Sequence, residues 1–252
     1  MEAVSSMPDW LAQMLHNLIL TGQCTDITLE LNDSLMTKVL DSGTVSTSPD
    51  FVLTGTCTTS FQTSGANRSN NIVVGASRLN NLIVMPGQTV SVSDTILPRT
   101  RANGYKEAGV YVNGAHTTGL GGGVCQISST VYNAVKNAGL TVVQRNPHSM
   151  PVNYLPKGLD AAIAAGSKDL KFRNDYTTPV VLYTDTSNKH LTVNVLVWNQ
   201  ELAGRSFKLW AKQTGALSAD TYFTTYQNGK EVSTQFVGTS RYNPYREAVN
   251  DD

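Results

Sequence analysis

The sequence predicts an α+β fold, mainly antiparallel β with a few helices, in which one cysteine stands at a helix N-terminus after a Gly-rich loop. Three observations carry this. Short runs rich in Val, Thr, Leu and aromatic residues recur through the C-terminal half, punctuated by turn residues. Asn-Gly pairs at Asn113-Gly114 and Asn228-Gly229 adjoin such runs, and Asn-Gly supplies the positive φ of a tight hairpin turn. Helical periodicity is confined to a few segments, the strongest of which follows a run of glycines.

In chain order, Leu11, Met14, Leu15 and Leu18 recur at helical spacing behind a helix start at Pro8-Asp9, and residues 27–31 alternate as a strand. Residues 42–69 are dense in Ser, Thr and Gly, which predicts a linker or an edge strand. Ile72, Val73, Ala76, Leu79 and Leu82 form a helical face that ends near Asn80-Asn81. Pro86-Gly87 turns the chain into a strand at 89–92, and 110–112 begins the first hairpin. The Gly-rich loop from Gly119 to Gly123 then leads into a helix whose apolar face is Ile127, Val131, Ala134, Val135 and Ala138, with Gly139 as its stop. Strands follow at 140–143, 170–172, 180–183, 191–198, 206–210, 221–226 and 232–237. These elements divide the chain into an N-terminal segment (1–56), a central domain (57–200) and a C-terminal β-hairpin extension (201–252).

Composition excludes several functions. Lys plus Arg and Asp plus Glu both number 19, with no basic run, so nothing draws the chain onto nucleic acid. Hydrophobic residues make up 40%, enough for a core without disulfides or metals. No stretch approaches the roughly 18 apolar residues of a membrane span, and residues 10–20 are interrupted by Gln13, His16 and Asn17. That segment also lacks the basic start of a signal peptide, so the chain is either cytoplasmic or begins downstream of an export signal. Of three cysteines, Cys24 and Cys57 share a Gly-X-Cys-Thr context and either pair in an oxidising compartment or are small buried residues. No CxxC occurs and the histidines lack ligand spacing, so neither a metal nor any other cofactor is expected.

Cys125 is the candidate with chemistry. A cysteine attacks as the thiolate, and unpaired N–H groups at a helix start favour negative charge there. Gly123 and its neighbours clear side chains from the sulfur, and the N–H groups of Cys125 and Gln126 are placed to hold an oxyanion, with Ser128 nearby. His148, flanked by Pro147 and Pro151, is the candidate base, and Asp160, or less directly Asp169, the residue that orients it. Arg173 is the candidate for a substrate carboxylate. The plainer reading makes Cys125 a small buried residue, Ser128 and Ser129 helix starters, and Asp160 and Arg173 surface ion-pair partners.

Gly121-Gly-Gly-Val-Cys-Gln-Ile-Ser-Ser-Thr-Val-Tyr-Asn-Ala, then Gly139-Leu, Arg145, His148-Ser-Met-Pro-Val and Lys171-Phe-Arg-Asn resemble the VanW domain in order and spacing. Asn67-Arg, Asn70-Asn-Ile, Pro86-Gly and Gly104-Tyr-Lys-Glu-Ala fit the same pattern, so the resemblance covers roughly residues 60–200. Leu159 departs from it, standing where Arg is frequent. The resemblance implies an extracytoplasmic protein facing the Gram-positive cell wall, membrane-anchored in its native form and monomeric. It also implies an L,D-transpeptidase in which Cys125 forms an acyl-enzyme with peptidoglycan stem peptides. A non-catalytic peptidoglycan- or partner-binding module, and a cysteine peptidase or amidase, are the rival expectations.

Overall fold

A computed structural model describes residues 51–112, 115–164 and 166–244. The helix and strand expected before residue 50, the Asn113-Gly114 turn and Cys24 lie outside the described residues. The α+β expectation is borne out: twelve strands, all paired antiparallel, accompany four helices among the described residues.

The central sheet has the order β1-β9-β8-β2, formed by β1 (Phe51–Ser60), β9 (His190–Trp198), β8 (Val180–Asp185) and β2 (Leu82–Val84). β8 and β9 bury Val180, Val181, Leu182, Leu191, Val193, Val195 and Val197 almost completely, as runs of β-branched and apolar residues between packed layers should. β1 is an edge strand of this sheet, as the Ser/Thr-rich texture of 42–69 allowed, and it runs across the 56/57 boundary drawn from composition. A second sheet, β3-β7-β6, joins β3 (Thr89–Ser91), β7 (Lys171–Arg173) and β6 (Thr141–Gln144). The hairpin of β4 (Glu107–Val112) and β5 (Ala115–Leu120) leads into the glycine loop.

Helix α1 (Ala66–Ser77) starts earlier and ends earlier than its apolar periodicity predicts. Leu79 is still fully buried, but from the turn that follows, and the left-handed Asn81 redirects the chain so that Leu82 enters β2. Helix α2 (Val92–Thr95) is one turn, capped by the Ser91 hydroxyl, so the strand expected at 89–92 stops at Ser91. Helix α3 (Val124–Asn137) carries the motif cysteine and packs on β1 and β9; Gly139, at φ 80°, lies just beyond its end. Gly55 of β1 meets it so closely that a Cβ there would lie 2.1 Å from the Ala134 carbonyl oxygen. Helix α4 (Asn199–Leu202) then leads to a three-stranded sheet of β10 (Arg205–Gly215), β11 (Ser218–Gln227) and β12 (Lys230–Arg241). This sheet, larger than the expected hairpin, also packs against α3. Among the described residues, no helix is long and apolar enough to cross a membrane.

Candidate active site

Helix α3 is buried on nearly all sides. Every residue from Gln126 to Val135 is buried, including Gln126, Ser128, Ser129, Thr130 and Asn133, whose polarity alone would place them on a solvated face. Each is satisfied instead by a specific partner, as buried polar groups must be. Gln126 donates to the Thr59 hydroxyl (3.0 Å) and the Ser60 carbonyl (2.9 Å), and Thr130 hydrogen-bonds Thr59 (2.9 Å), fixing the helix to β1. On the opposite flank the Ser128 and Ser129 hydroxyls donate to the Ala161 carbonyl at 2.6 and 3.1 Å, and Asn133 donates to the Leu159 carbonyl at 2.7 Å. This polar face holds the segment that carries Asp160.

That segment belongs to the long connection between β6 and β7, in which the described residues form no helix or strand beyond a single bridge between Ala164 and Lys168. The connection supplies Arg145, His148, Tyr154, Asp160 and Ile163 to the start of α3. Asp160 has no exposed side-chain surface. One carboxylate oxygen accepts from the His148 backbone N–H and pairs with its Nδ1, both at 2.6 Å. The other accepts from the Tyr242 hydroxyl at 2.5 Å and from Arg145 at 3.3 Å. Burial alone would raise this carboxyl's pKa, but the hydrogen bonds from His148 and Tyr242 outweigh it and lower the pKa to about 2.

With Nδ1 committed to Asp160, the other ring nitrogen of His148 is left for the thiol. His148 stands near enough to Cys125 for each to shift the other's ionisation, and its side chain stays 19% exposed, so the site is open to solvent on the histidine side. Burial disfavours the imidazolium, yet the bonds to Asp160 and Cys125 carry its pKa up to about 9. The opposite shift occurs at sulfur: burial opposes ionisation, but the hydrogen bond and charge of His148, with the positive charge of Arg99, bring the Cys125 pKa below its ordinary value. The protonated thiol donates to the Ile163 carbonyl at 3.3 Å. Thiolate and imidazolium thus stabilise each other by charge. Cys57, by contrast, is pushed up to about 12 by burial and is inert at neutral pH.

The structure therefore gathers Cys125, His148 and Asp160 at the N-terminus of α3, His148 hydrogen-bonded to Asp160 and linked in its ionisation to the thiol. The other expected site residues fall differently. Gly123 is the N-cap residue at φ 110°, where a Cβ would strike the Arg68 side chain at 2.9 Å, so glycine is required by backbone and neighbour alike. The Gln126 side chain, with 1% of its surface exposed, accepts from Arg68 as well as clamping β1, and its N–H donates to the Gly123 carbonyl at 3.0 Å. It is thus an architectural residue and not an oxyanion donor. Ser128 is fully buried and bonded to Ala161, so it cannot contact substrate. Arg173 lies exposed on β7, paired with Asp175, and is not brought to the thiol; Asp169 accepts from Ser91 and the Ser93 N–H instead.

Several site residues carry no role assigned from sequence, although Arg145 and Arg68 stand in the motif that carries the resemblance. Arg145 grips Asp160 through both its carbonyl (2.7 Å) and its carboxylate, and also reaches the Gly158 carbonyl and Ser240. Tyr154 stands near Cys125 and Ser129, its phenol kept protonated by burial and the charge of Cys125. Arg68 and Arg99 place positive charge near the sulfur. The available signal was the length of the chain between the strands at 140–143 and 170–172, because long irregular connections in compact domains are usually functional. A cleft lined by Tyr132, Lys136, Arg145 and Gly238 does not include the thiol. Among the described residues no cluster of His, Cys, Asp and Glu has the arrangement of a metal site.

The family model described as VanW like protein matches residues 67–196, just over half of the 252-residue chain. The chain is 42% identical over 128 residues to the uncharacterized protein YoaR of Bacillus subtilis, a stretch covering 51% of this chain and 42% of that protein. It is 35% identical over 114 residues to the vancomycin B-type resistance protein VanW of Enterococcus faecalis, covering 43% of this chain and 42% of that one. The matched stretch thus spans about two fifths of the length of either relative. No solved structure matches the chain.

Proposed function

Given that the chain belongs to the VanW-like family, we propose that it is a cysteine acyltransferase of the bacterial cell wall, an L,D-transpeptidase that joins peptidoglycan stem peptides through a thioester on Cys125. The observation that carries this reading is the Cys125–His148–Asp160 chain at a helix start. The Cys125 thiolate attacks the carbonyl carbon between the third and fourth stem residues. The oxyanion forms at the helix N-terminus, where the Cys125 N–H is the backbone donor assigned to it. Imidazolium His148 gives its proton to the leaving nitrogen, the C–N bond breaks, and a terminal D-amino acid departs. A side-chain amine of a second stem then attacks the thioester carbonyl and gives its proton to His148. The C–S bond breaks and the thiolate is restored. Asp160 holds the imidazole in the required tautomer and balances its charge through both halves.

This reading places the protein on the outer face of a Gram-positive membrane, as a monomer whose partner is stem peptide. The relative's link to vancomycin resistance, which its name states, accords with a role at the cell wall. The test is incubation of purified protein with tetrapeptide muropeptides, wild type beside Cys125→Ala, read by intact-protein and product mass spectrometry. A stem-peptide adduct and cross-linked dimers, both missing in the variant, are expected. Hydrolysed stems without dimers would make the enzyme a peptidase or amidase. A folded protein that forms no adduct, with Cys125 resistant to alkylation, would reduce the domain to a binding module.

A further inference from the structure

Three arginines serve the site, Arg68 and Arg99 beside the thiol and Arg145 at Asp160, and two of the three are fully committed. Arg145 is spent on Asp160, Gly158 and Ser240, and Arg68 on Ser64 and Gln126. Arg99 is different. Its Nη1 is sealed from solvent and has no hydrogen-bond partner, one of only two such buried side-chain atoms among the described residues. A guanidinium nitrogen left dry and unpaired is costly, and such a group in a native protein calls for a specific reason, of which a functional partner at the site is one. The stem of Arg99 runs along Gly121, where a Cβ would come within 2.8 Å of its Cδ, so the glycine loop before Cys125 holds it against the site. Its charge is felt at the sulfur and at Tyr105. No carboxylate of the described residues forms an ion pair with it.

We infer that Arg99 is the specificity residue that binds the free α-carboxylate of the donor peptide's last residue. This rests on the acyltransferase reading above and makes it narrower. A leaving amino acid carries its carboxylate one residue beyond the scissile carbonyl, a Cα-to-Cα step of about 3.8 Å. On this assignment Arg99 selects peptides in which a single residue follows the bond to be cut. It replaces Arg173, which sequence alone put forward for a carboxylate and which lies exposed on β7. The recognised chemistry is a terminal carboxylate, and a neutral terminus or a chain extended by one residue should be rejected.

The test separates binding from chemistry. Binding is measured by calorimetry on Cys125→Ala protein with two tetrapeptide stems, one ending in a free acid and one in a carboxamide. A charge-assisted bond in a dry site is expected to favour the acid by roughly 10–100-fold. Arg99→Met in that background is expected to abolish the preference by weakening the acid alone, and Arg99→Lys, which keeps stem and charge, to restore part of it. Equal binding of acid and carboxamide, or an undiminished preference in Arg99→Met, overturns the assignment while leaving a stem-peptide enzyme intact. Binding of neither stem overturns both readings. The same pair of donors, followed by adduct formation on wild-type protein, should show the preference in kcat/KM.

Discussion

At the scale of single residues, the site behaves as one shared ionisation. Asp160 titrates at about 2 because it is paired, so its contribution is fully present above the ordinary carboxylate pKa and is lost as pH falls through about 2. His148 titrates at about 9, so its contribution is fully present below about 6.5 and is lost as pH rises through about 9. The Asp160 shift corresponds to about 2 kcal/mol, and the His148 shift reports largely the same interaction, so the two do not add. Thermal unfolding is therefore expected to be most resistant between about pH 4 and 6.5, to weaken steadily as pH rises from there to about 9, and to weaken again below about pH 4. In Asp160→Asn the alkaline weakening attributable to His148 should shrink, and the protein should lose about 3 kcal/mol or more at pH 7, because the imidazolium and Arg145 lose a buried anion. A variant with unchanged stability at pH 7 would mean that the carboxylate is solvated and does not hold the histidine.

At the scale of elements, the decisive feature is the polar face of α3. Its apolar face was legible, since Ile127, Val131, Ala134 and Val135 keep helical spacing and are buried. Its polar residues were not, because a Ser or Asn on a helix reads as solvent-facing until tertiary partners are known. The sequence offers Gln126 and Ser128 as oxyanion or substrate residues and, on the plainer reading, Ser128 and Ser129 as helix starters, yet all three fasten the helix to its neighbours. The Ser129 hydroxyl both receives the Ala161 N–H at 2.9 Å and donates to its carbonyl, next door to Asp160. Ser129→Ala is expected to cost roughly 1–3 kcal/mol, measured by denaturant unfolding, and to slow Cys125 alkylation by releasing the Asp160 segment. Gly123→Ala is expected to cost at least as much, since its left-handed φ and the Arg68 side chain both exclude a Cβ. The strands were legible for a simpler reason: short β-branched and apolar runs bounded by turn residues fix their own limits to within a few residues, as β8 and β9 show.

At the scale of the whole molecule, the C-terminal sheet reaches into the site. The family match ends at residue 196, and sequence alone set off 201–252 as an extension. Nevertheless the Tyr242 hydroxyl donates to Asp160 and accepts the Gly158 N–H at 2.6 Å, while Ser240 takes Arg145 and Thr221 donates to the Gly158 carbonyl. No local pattern reveals this, because partners more than sixty residues apart in sequence meet only through the packing of β11 and β12 beside the long connection. Tyr242 is accordingly a positioning residue. Tyr242→Phe should leave Gly158 unpaired, lower stability by roughly 1–3 kcal/mol and move the alkaline limb of the pH–rate profile, since a less stabilised Asp160 supports the imidazolium less well. A kcat loss with the same pH profile would assign it a purely structural part.

The most direct test of the thiolate–imidazolium pair is the pH dependence of Cys125 alkylation by a neutral reagent, taken as the difference between wild type and Cys125→Ala so that Cys24 and Cys57 cancel. Wild-type Cys125 is expected to titrate well below the ordinary thiol value of about 8.5, and in His148→Gln to move back to that value or above it, because burial then acts unopposed. An ordinary or raised titration in the wild type, unchanged by His148→Gln, would contradict the pair and with it the nucleophile.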